Sequence, residues 1–481
     1  MSEVLNQLIA IPGFCVDASS PKTGKNGTPY TEISLKYTAE TPECCPKCGE
    51  KLYKHGYRTI TVVDTPMLGQ PCRLILSVPR KRCKCCQNIW MPSIKGVDEK
   101  RSMTERAFIA ISQKALSESF ESVSAEYMVA PNTIKNTFQN FVREKQSNLR
   151  FKTPVFLGLD EIKIKKLGEV TVITDLEHRT LYDMILGRNQ TQLTEYFKSL
   201  PDADKVLWVC TDMYRPFEKS IADAMPNASW VIDHFHLVAY ANRALDTVRV
   251  EIQKKMTKKN RIKTKHGLAY TLRTRAKGLS SEDAAKIRGC RTNPILAPLA
   301  IAYDLKEDFF NIYSDLSSKE RAQQAFEVWA SSIPDDDLYE GFRSLVKTVR
   351  NFYEQIFHYW DCPIAITNGF TECTNRIIRE KNVRGRGHSF EILRGRTLFR
   401  KANLLAIMEH NLAYTGPAIP NKGPVFTYEE TNAGTSTQPV VGPDEWQEPM
   451  DDPFCGLIPY EDFDPETGEI FDDLQDEDEE A

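Results

Sequence analysis

The chain has 481 residues, 41% of them hydrophobic, and a formal net charge of −4, which suits two to four domains with a sizeable core. No apolar run reaches the roughly 18 to 20 residues that span a bilayer; the opening MSEVLNQLIAIPGF has no basic n-region, and Pro12 breaks its apolar run, so neither a membrane helix nor a secretory signal is expected. The charge is split: residues 415–481 hold 19 Asp/Glu against one Lys, leaving 61 basic against 47 acidic side chains in 1–414, and such a basic body suits a polyanionic partner.

Residues 1–98 read as β-rich, with approximate alternation over 30–37 and 72–78. Seven of the 13 cysteines fall between Cys44 and Cys86. That clustering points to a metal site in a reducing compartment rather than a disulfide framework. Two CxxC turns, Cys45-Pro-Lys-Cys48 and Cys83-Lys-Cys-Cys86, supply the four thiolates that tetrahedral Zn²⁺ prefers. The 34 residues between the turns can hold a β-ribbon, and Cys44 and Cys85 remain adjacent alternatives as ligands. Arg80-Lys81-Arg82 reads as a solvated edge-strand charge cluster or a phosphate contact.

Residues 99–150 read as a helix-turn-helix. A short helix (SVSAEYM) is followed by a turn near Val129-Ala130 and a second helix opened by Pro131, a residue well tolerated at the first helical position. Ile134, Phe138 and Phe141 share one face. The other carries Asn132, Thr133, Lys135, Asn136, Gln139 and Asn140, side chains that can reach base edges and phosphates from the major groove. A plain amphipathic hairpin is the alternative.

Residues 151–240 alternate between apolar runs at 155–160, 170–175, 180–186, 206–212 and 229–233 and helical segments at 191–200, 214–225 and from about Phe235. Three strands joined by short turns, then a helix and further strands, match the first part of a ribonuclease-H-like core. Residues 241–355 read as a helical insertion into that core. Lys254 to Lys277 contains ten Lys/Arg and no acid, which makes Lys258, Lys259 and Arg261 candidates for a DNA-backbone grip, with a solvated loop as the alternative. The core returns over 356–414. There Thr367 or Asn368 can cap a helix bearing Glu372, Arg376 and Arg379 on one face. The basic, glycine-rich run Arg384-Gly-Arg386-Gly-His388 can approach phosphates, and a helical run from about 390 to 413 closes the domain. Residues 415–481 are too polar to offset ordering entropy and are expected to be mostly disordered.

Val206–Asp212 (VLWVCTD) and Val155–Asp160 each read as an apolar strand ending in a carboxylate at a sheet rim. With Glu372 they make three carboxylates on separate elements, a minimum set for holding a pair of Mg²⁺ (or Mn²⁺) ions in phosphoryl transfer. Singly, each has a plainer reading: Asp160 as a strand-end cap, Asp212 as a helix N-cap, Glu372 as an ion-pair partner of Arg376. Strand alternation should point Glu161 to the face opposite Asp160.

The stretches FLGLDEIKIKK, TVITDLEHRTLYDMILGR, CTDMYRPFEKSIADAMPNASWVIDHFHLVAYANRAL and TNGFTECTNRIIREKNVRGRGHSFE resemble the bacterial insertion-sequence transposases of the ISL-three family. The CPKCG and CKCC turns and the helix-turn-helix match that family's layout, and the resemblance covers roughly residues 40–413. It implies a DDE triad of Asp160, Asp212 and Glu372 on a ribonuclease-H-like fold, with Asp233 and His236 as an auxiliary D-x-x-H element. His388 stands where an aromatic residue is common in the family, and the acidic tail departs from it. The implied protein is a nucleoid-associated bacterial cytoplasmic transposase. It would bind terminal inverted repeats of double-stranded DNA, cleave and join them to a target, and work as a homodimer or larger assembly. The alternatives are a DNA-binding repressor or domesticated transposase without turnover, and a nuclease or resolvase without strand transfer.

Overall fold

The computed structural model describes residues 2–24, 27–257, 261, 268–315, 317–385 and 387–414. The expected disordered tail lies outside them. Contacts divide the chain into two units, Met1–Asn148 with Glu391–Lys401, and Leu149–Phe390 with Ala402–Ala481.

The first unit is built on a sheet whose strands run in the order Phe14–Thr23, Pro29–Tyr37, Gln70–Cys83, Leu52–Met67, Met103–Thr104 and Val97–Asp98, with Ile89–Trp90 added to Gln70–Cys83. Leu52–Met67 and Gln70–Cys83 form a long hairpin that turns through Leu68 and Gly69, both at positive φ, the geometry that matches strand twist in a two-residue turn. Ile33, Leu35, Leu74, Leu76 and Val78 alternate inward to form the core of this sheet.

Three helices follow: Glu105–Lys114, Phe120–Tyr127 and Pro131–Asn148. Thr104 caps the first by accepting from the Ala107 N–H, and Ser119 caps the second by accepting from the Ser122 N–H. The two helices expected over 122–142 are present, the second opened by Pro131. The second helix ends on Met128 at φ 50, a left-handed C-cap more often occupied by glycine. Ile134, Phe138 and Phe141 are buried, as their spacing requires.

The single helical run expected over 390–413 is two helices, Phe390–Leu398 and Lys401–Glu409. The first of them, within Glu391–Lys401, groups with the first unit, and Gly395 meets Val142 and Phe138 of the 131–148 helix. A Cβ on Gly395 would lie 2.7 Å from Val142, so only glycine allows that approach. Phe399 meets Phe141 edge-on at 6.4 Å, and the Arg396 guanidinium lies 4.6 Å from the Phe120 ring centroid.

The second unit holds a five-stranded sheet in the order Thr180–Leu186, Gly168–Asp175, Phe156–Ile164, Trp208–Thr211, Ser229–Ile232. The first three strands are antiparallel neighbours, and the last two join in parallel. Leu157, Leu159, Val172, Ile173, Val209 and Val231 are almost fully buried, which explains the near-continuous apolar runs. Helices Gln190–Ser199 and Arg215–Ala224 connect the outer strands, and His234–Lys254 leaves the last one. Further helices occupy Ser281–Thr292, Ala297–Asp315, Lys319–Ser332 and Glu340–Asn351 before Gly369–Arg384 returns to the sheet. No described helix is long and apolar enough to cross a membrane.

Candidate functional site

Strand register aligns three aspartates. Cys210 pairs with Gly158 and Thr211 with Ile232. Two residues past the first pair stand Asp160 and Asp212, and one past the second stand Asp212 and Asp233. Parallel partners point to the same face, so the three carboxylates form a row where the parallel ladder ends. Asp212 follows its strand directly, as expected. Asp160 does not end its strand: Phe156–Ile164 continues because Ile162 and Ile164 are buried and the antiparallel partner Gly168–Asp175 extends past the short parallel one.

The Gly369–Arg384 helix brings Glu372 to this row. Asn368 does not cap the helix with its side chain; its Nδ2 instead donates to the Leu159 carbonyl at 2.8 Å. The Thr371 and Thr174 hydroxyls meet at 2.6 Å, and a Cβ on Gly158 would lie 2.5 Å from both Thr Oγ1 atoms. The helix therefore lies against the strand that carries Asp160. One turn on, Asn375 donates Nδ2 to Asp160 Oδ2 at 2.6 Å.

Among the described residues, Asp233, His236 and Glu372 each bring one ligand atom to within 4.8 Å of the others. Asp160 and Asp212 border this cluster without joining it. Asp233 Oδ1 accepts from the Phe235 N–H as helix cap and from Thr367 Oγ1. Asp233 Oδ2 and His236 Nε2 are buried with no hydrogen-bond partner among the described residues. Buried polar atoms are rarely left so, and two orphaned donors of metal-ligand type facing a carboxylate fit a divalent cation.

The electrostatics agree. Burial, with Asp212 and Asp233 nearby, raises Asp160 to about 6, against His236 and the Glu161 N–H. Burial, Asp233 and Asp160 raise Glu372 in the same direction, and burial raises Asp212. Burial works against a charged His236, but Asp233, Asp160, Asp212 and Glu372 outweigh it and hold the imidazole above its ordinary value. Packed carboxylates that resist ionisation are what a bound cation relieves. Glu161 pairs with Arg188 at 2.9 Å, and Arg188 also reaches Glu169 and lies over the Tyr214 ring.

Arg379 is half-buried and within electrostatic reach of Asp160 and Glu372, whereas Arg376 and Arg384 are exposed and Arg384 pairs with Glu380. Arg261 is exposed. Lys258, Lys259 and Arg386 lie outside the described residues. On the 131–148 helix, Asn132 and Asn136 are exposed, and Thr133, Lys135 and Gln139 are half-buried. Sequence reasoning missed the role of Asn375 beside Asp160 and of Arg188 beside Glu161. Neither contact leaves a local pattern, since they join positions 215 and 27 residues apart.

In the first unit the Sγ atoms of Cys45, Cys48, Cys83 and Cys86 lie within 4.8 Å of one another, with contacts of 3.4–3.5 Å. Four sulfurs at about 2.3 Å from one Zn²⁺ would stand about 3.8 Å apart. The spacing fits such an ion and is too long for a disulfide. Cys44 and Cys85 are exposed and outside the cluster. The Lys47 N–H leads in lowering Cys45 to about 6 and the Cys86 N–H leads in lowering Cys83, whereas, against the Glu50 and Asn88 N–H groups, burial and the neighbouring thiols raise Cys48 and Cys86.

A DDE-type family model of the ISL3 (ISL-three) group, described as "Transposase", matches residues 157–397. A second, described as the zinc-finger of transposase IS204/IS1001/IS1096/IS1165, matches residues 41–86. The transposase for insertion sequence element IS1001 of Bordetella parapertussis is 27% identical over 226 residues, 46% of this chain and 55% of that protein. The chain thus spans about half the length of this curated relative.

Proposed function

Because this chain belongs to the ISL3 family of DDE transposases, we propose that it binds the terminal inverted repeats of an insertion sequence, cuts the DNA there and joins the freed 3′-hydroxyl to a target. The observation that carries this reading is the row of Asp160, Asp212 and Asp233 at the end of the parallel ladder, faced by Glu372. A ribonuclease-H-like core interrupted by a helical insertion is the reading that the five-strand order supports, with antiparallel strands at one side and parallel ones at the other. We assign the domains as 1–98 zinc-ribbon-containing and β-rich, 99–150 helix-turn-helix, 151–240 and 356–414 catalytic core, except that 391–401 belongs to the first unit, 241–355 insertion and 415–481 acidic tail.

Asp160, Asp212 and Glu372 are the proposed ligands of Mg²⁺ or Mn²⁺, with Asp233 and His236 as auxiliary groups; Zn²⁺ is the proposed structural ion of the four cysteines. Divalent ions bound there would activate the attacking water or hydroxyl and neutralise the leaving oxygen. Asn375 fixes the Asp160 carboxylate. Asp233 Oδ2 and His236 Nε2, which have no hydrogen-bond partner among the described residues, are the proposed additional donors beside Glu372. Arg376, Arg379 and Arg384, with Arg261 and the adjacent lysines, are the proposed backbone grip. Asn132, Thr133, Lys135, Asn136 and Gln139 are the proposed readers of the ends. Two ends must be held together, so a homodimer or larger assembly on DNA is proposed, acting at the bacterial nucleoid.

Purified protein with labelled end DNA and Mg²⁺ tests this. A strand-transfer product supports the transposase. Cleavage without joining points to a nuclease or resolvase, and binding without nicking under any condition points to a repressor.

A further inference from the structure

The loop that follows Asp212 is held from outside the carboxylate row. Asp212 Oδ1 accepts from the Tyr214 N–H at 3.2 Å, so the direction of that carboxylate follows the backbone at Tyr214. Tyr214 stands at the N-cap of the Arg215–Ala224 helix and makes no side-chain cap bond. Its ring does the fixing instead. The ring meets buried Phe217 in a T-shaped contact at 5.4 Å, and the Arg188 guanidinium lies over it, 5.0 Å from the centroid.

Arg188 is itself anchored. The preceding Gly187, at φ +93, donates its N–H to the Glu169 carbonyl at 2.7 Å and accepts from Thr171 Oγ1 at 2.8 Å. A Cβ at that position would meet a left-handed backbone and stand 2.9 Å from Gln192 Oε1. From this turn Arg188 Nη1 donates to Glu161 Oε2 at 2.9 Å, and its Nε lies 2.8 Å from Glu169 Oε2. The planar guanidinium thus spans two neighbouring strands, Phe156–Ile164 and Gly168–Asp175. Glu161 follows Asp160 and Tyr214 stands two past Asp212, so one side chain joins the elements that deliver both aspartates. Burial raises Asp212, and His236, the Tyr214 N–H and Arg188 act against it, which puts the guanidinium within electrostatic reach of that carboxylate.

We propose that Arg188 is a positioning residue for Asp212: clamped by Glu161 and Glu169, it holds the Tyr214 ring, and through the Tyr214 N–H it keeps the Asp212 carboxylate in one orientation for a divalent cation. The inference rests on the reading that Asp212 is a metal ligand. Charge alone predicts the opposite effect, because removing a positive group beside an acidic cluster strengthens the pull of that cluster on a cation. Removing a group that orients a ligand weakens binding, typically by about 10- to 100-fold. The sign of the change separates the two.

The test is Mn²⁺ calorimetry on the full, zinc-loaded chain without DNA. Arg188→Gln and Tyr214→Ala are each expected to weaken Mn²⁺ binding by about 10-fold or more. The conservative Tyr214→Phe keeps the ring and is expected to bind as the unsubstituted protein does. The double variant Arg188→Gln/Tyr214→Ala is expected to be no weaker than the worse single variant, because both act along one chain of contacts. Unchanged or tighter binding by a folded Arg188→Gln overturns the proposal, as do losses that add in the double variant. If Arg188→Gln does not fold, judged by its Tm, Tyr214→Ala and Tyr214→Phe decide, and equal Mn²⁺ affinity in the two overturns the proposal. Mn²⁺ binding that weakens in the variants of a protein that cuts no DNA would leave the clamp standing and remove only the transposase reading. No Mn²⁺ binding by the unsubstituted protein removes this proposal together with the metal site.

Discussion

The side-chain amide of Asn375 donates to Asp160 Oδ2 at 2.6 Å and thereby fastens a helix to a strand 215 positions away. The helix is the one that carries Glu372, so this hydrogen bond orients one proposed ligand and, with the Asn368–Leu159 and Thr371–Thr174 contacts, holds another beside it. Partners of this kind typically contribute about 10- to 100-fold to metal affinity or activity. Asn375→Ala is therefore expected to weaken Mn²⁺ binding, measured calorimetrically, by about that factor while leaving the zinc content unchanged. Unaltered Mn²⁺ affinity would show that Asp160 needs no such support.

The acidic cluster predicts a pH dependence with a definite sign. Asp160 is raised to about 6 by burial and by Asp212 and Asp233, and Glu372 is raised as well. A carboxyl raised above its unfolded value contributes stability below about pH 4, and that contribution is lost as pH rises through about 6. A divalent cation replaces the missing protons. The rise in Tm on adding Mn²⁺ should therefore grow between pH 5 and pH 8 and shrink in Asp160→Asn. Equal increments at both pH values in scanning fluorimetry would contradict this.

Cys48→Ser should lose the zinc and render the open end of the hairpin, around Leu52 and Cys83, susceptible to protease, because binding energy at a structural zinc is folding energy, on the order of 10 kcal/mol. Cys44→Ser and Cys85→Ser should each keep one zinc per chain by elemental analysis, since both thiols stand outside the four-sulfur cluster.

Gly158→Ala would place a methyl 2.5 Å from Thr174 and Thr371 and 2.6 Å from Leu176. Overpacking of this kind costs about 1–3 kcal/mol. Thermal unfolding should show that loss. Activity should fall further than stability explains, because the displaced element is the Glu372 helix. A variant that keeps both Tm and activity would show that the helix approaches less closely.

Much of this arrangement was legible in the residues. The apolar runs ending near Asp160, Asp212 and Asp233 are buried strands whose side chains have no polar face to show, and Pro131 marks the start of its helix. The paired CxxC turns locate the sulfur cluster, though only geometry separates Cys45 from Cys44 and Cys86 from Cys85. What stayed hidden depends on contacts between distant segments. The helix 390–398 has no apolar stripe that names its partner, and its place beside Val142 follows from the absence of a side chain on Gly395. The closeness of Asp233 and His236 to Glu372 arises where two elements meet, which no spacing within either one encodes.

Anomalous diffraction from crystals soaked in Mn²⁺ tests the central claim most directly. The account predicts manganese in the pocket, ligated by Asp160 and Asp212 and by Glu372, with the signal lost in Asp160→Asn and Asp212→Asn. An ion held by Asp233, His236 and Glu372 alone, or no ion in the pocket at saturating Mn²⁺, would contradict the assignment of these three carboxylates as the DNA-cutting triad.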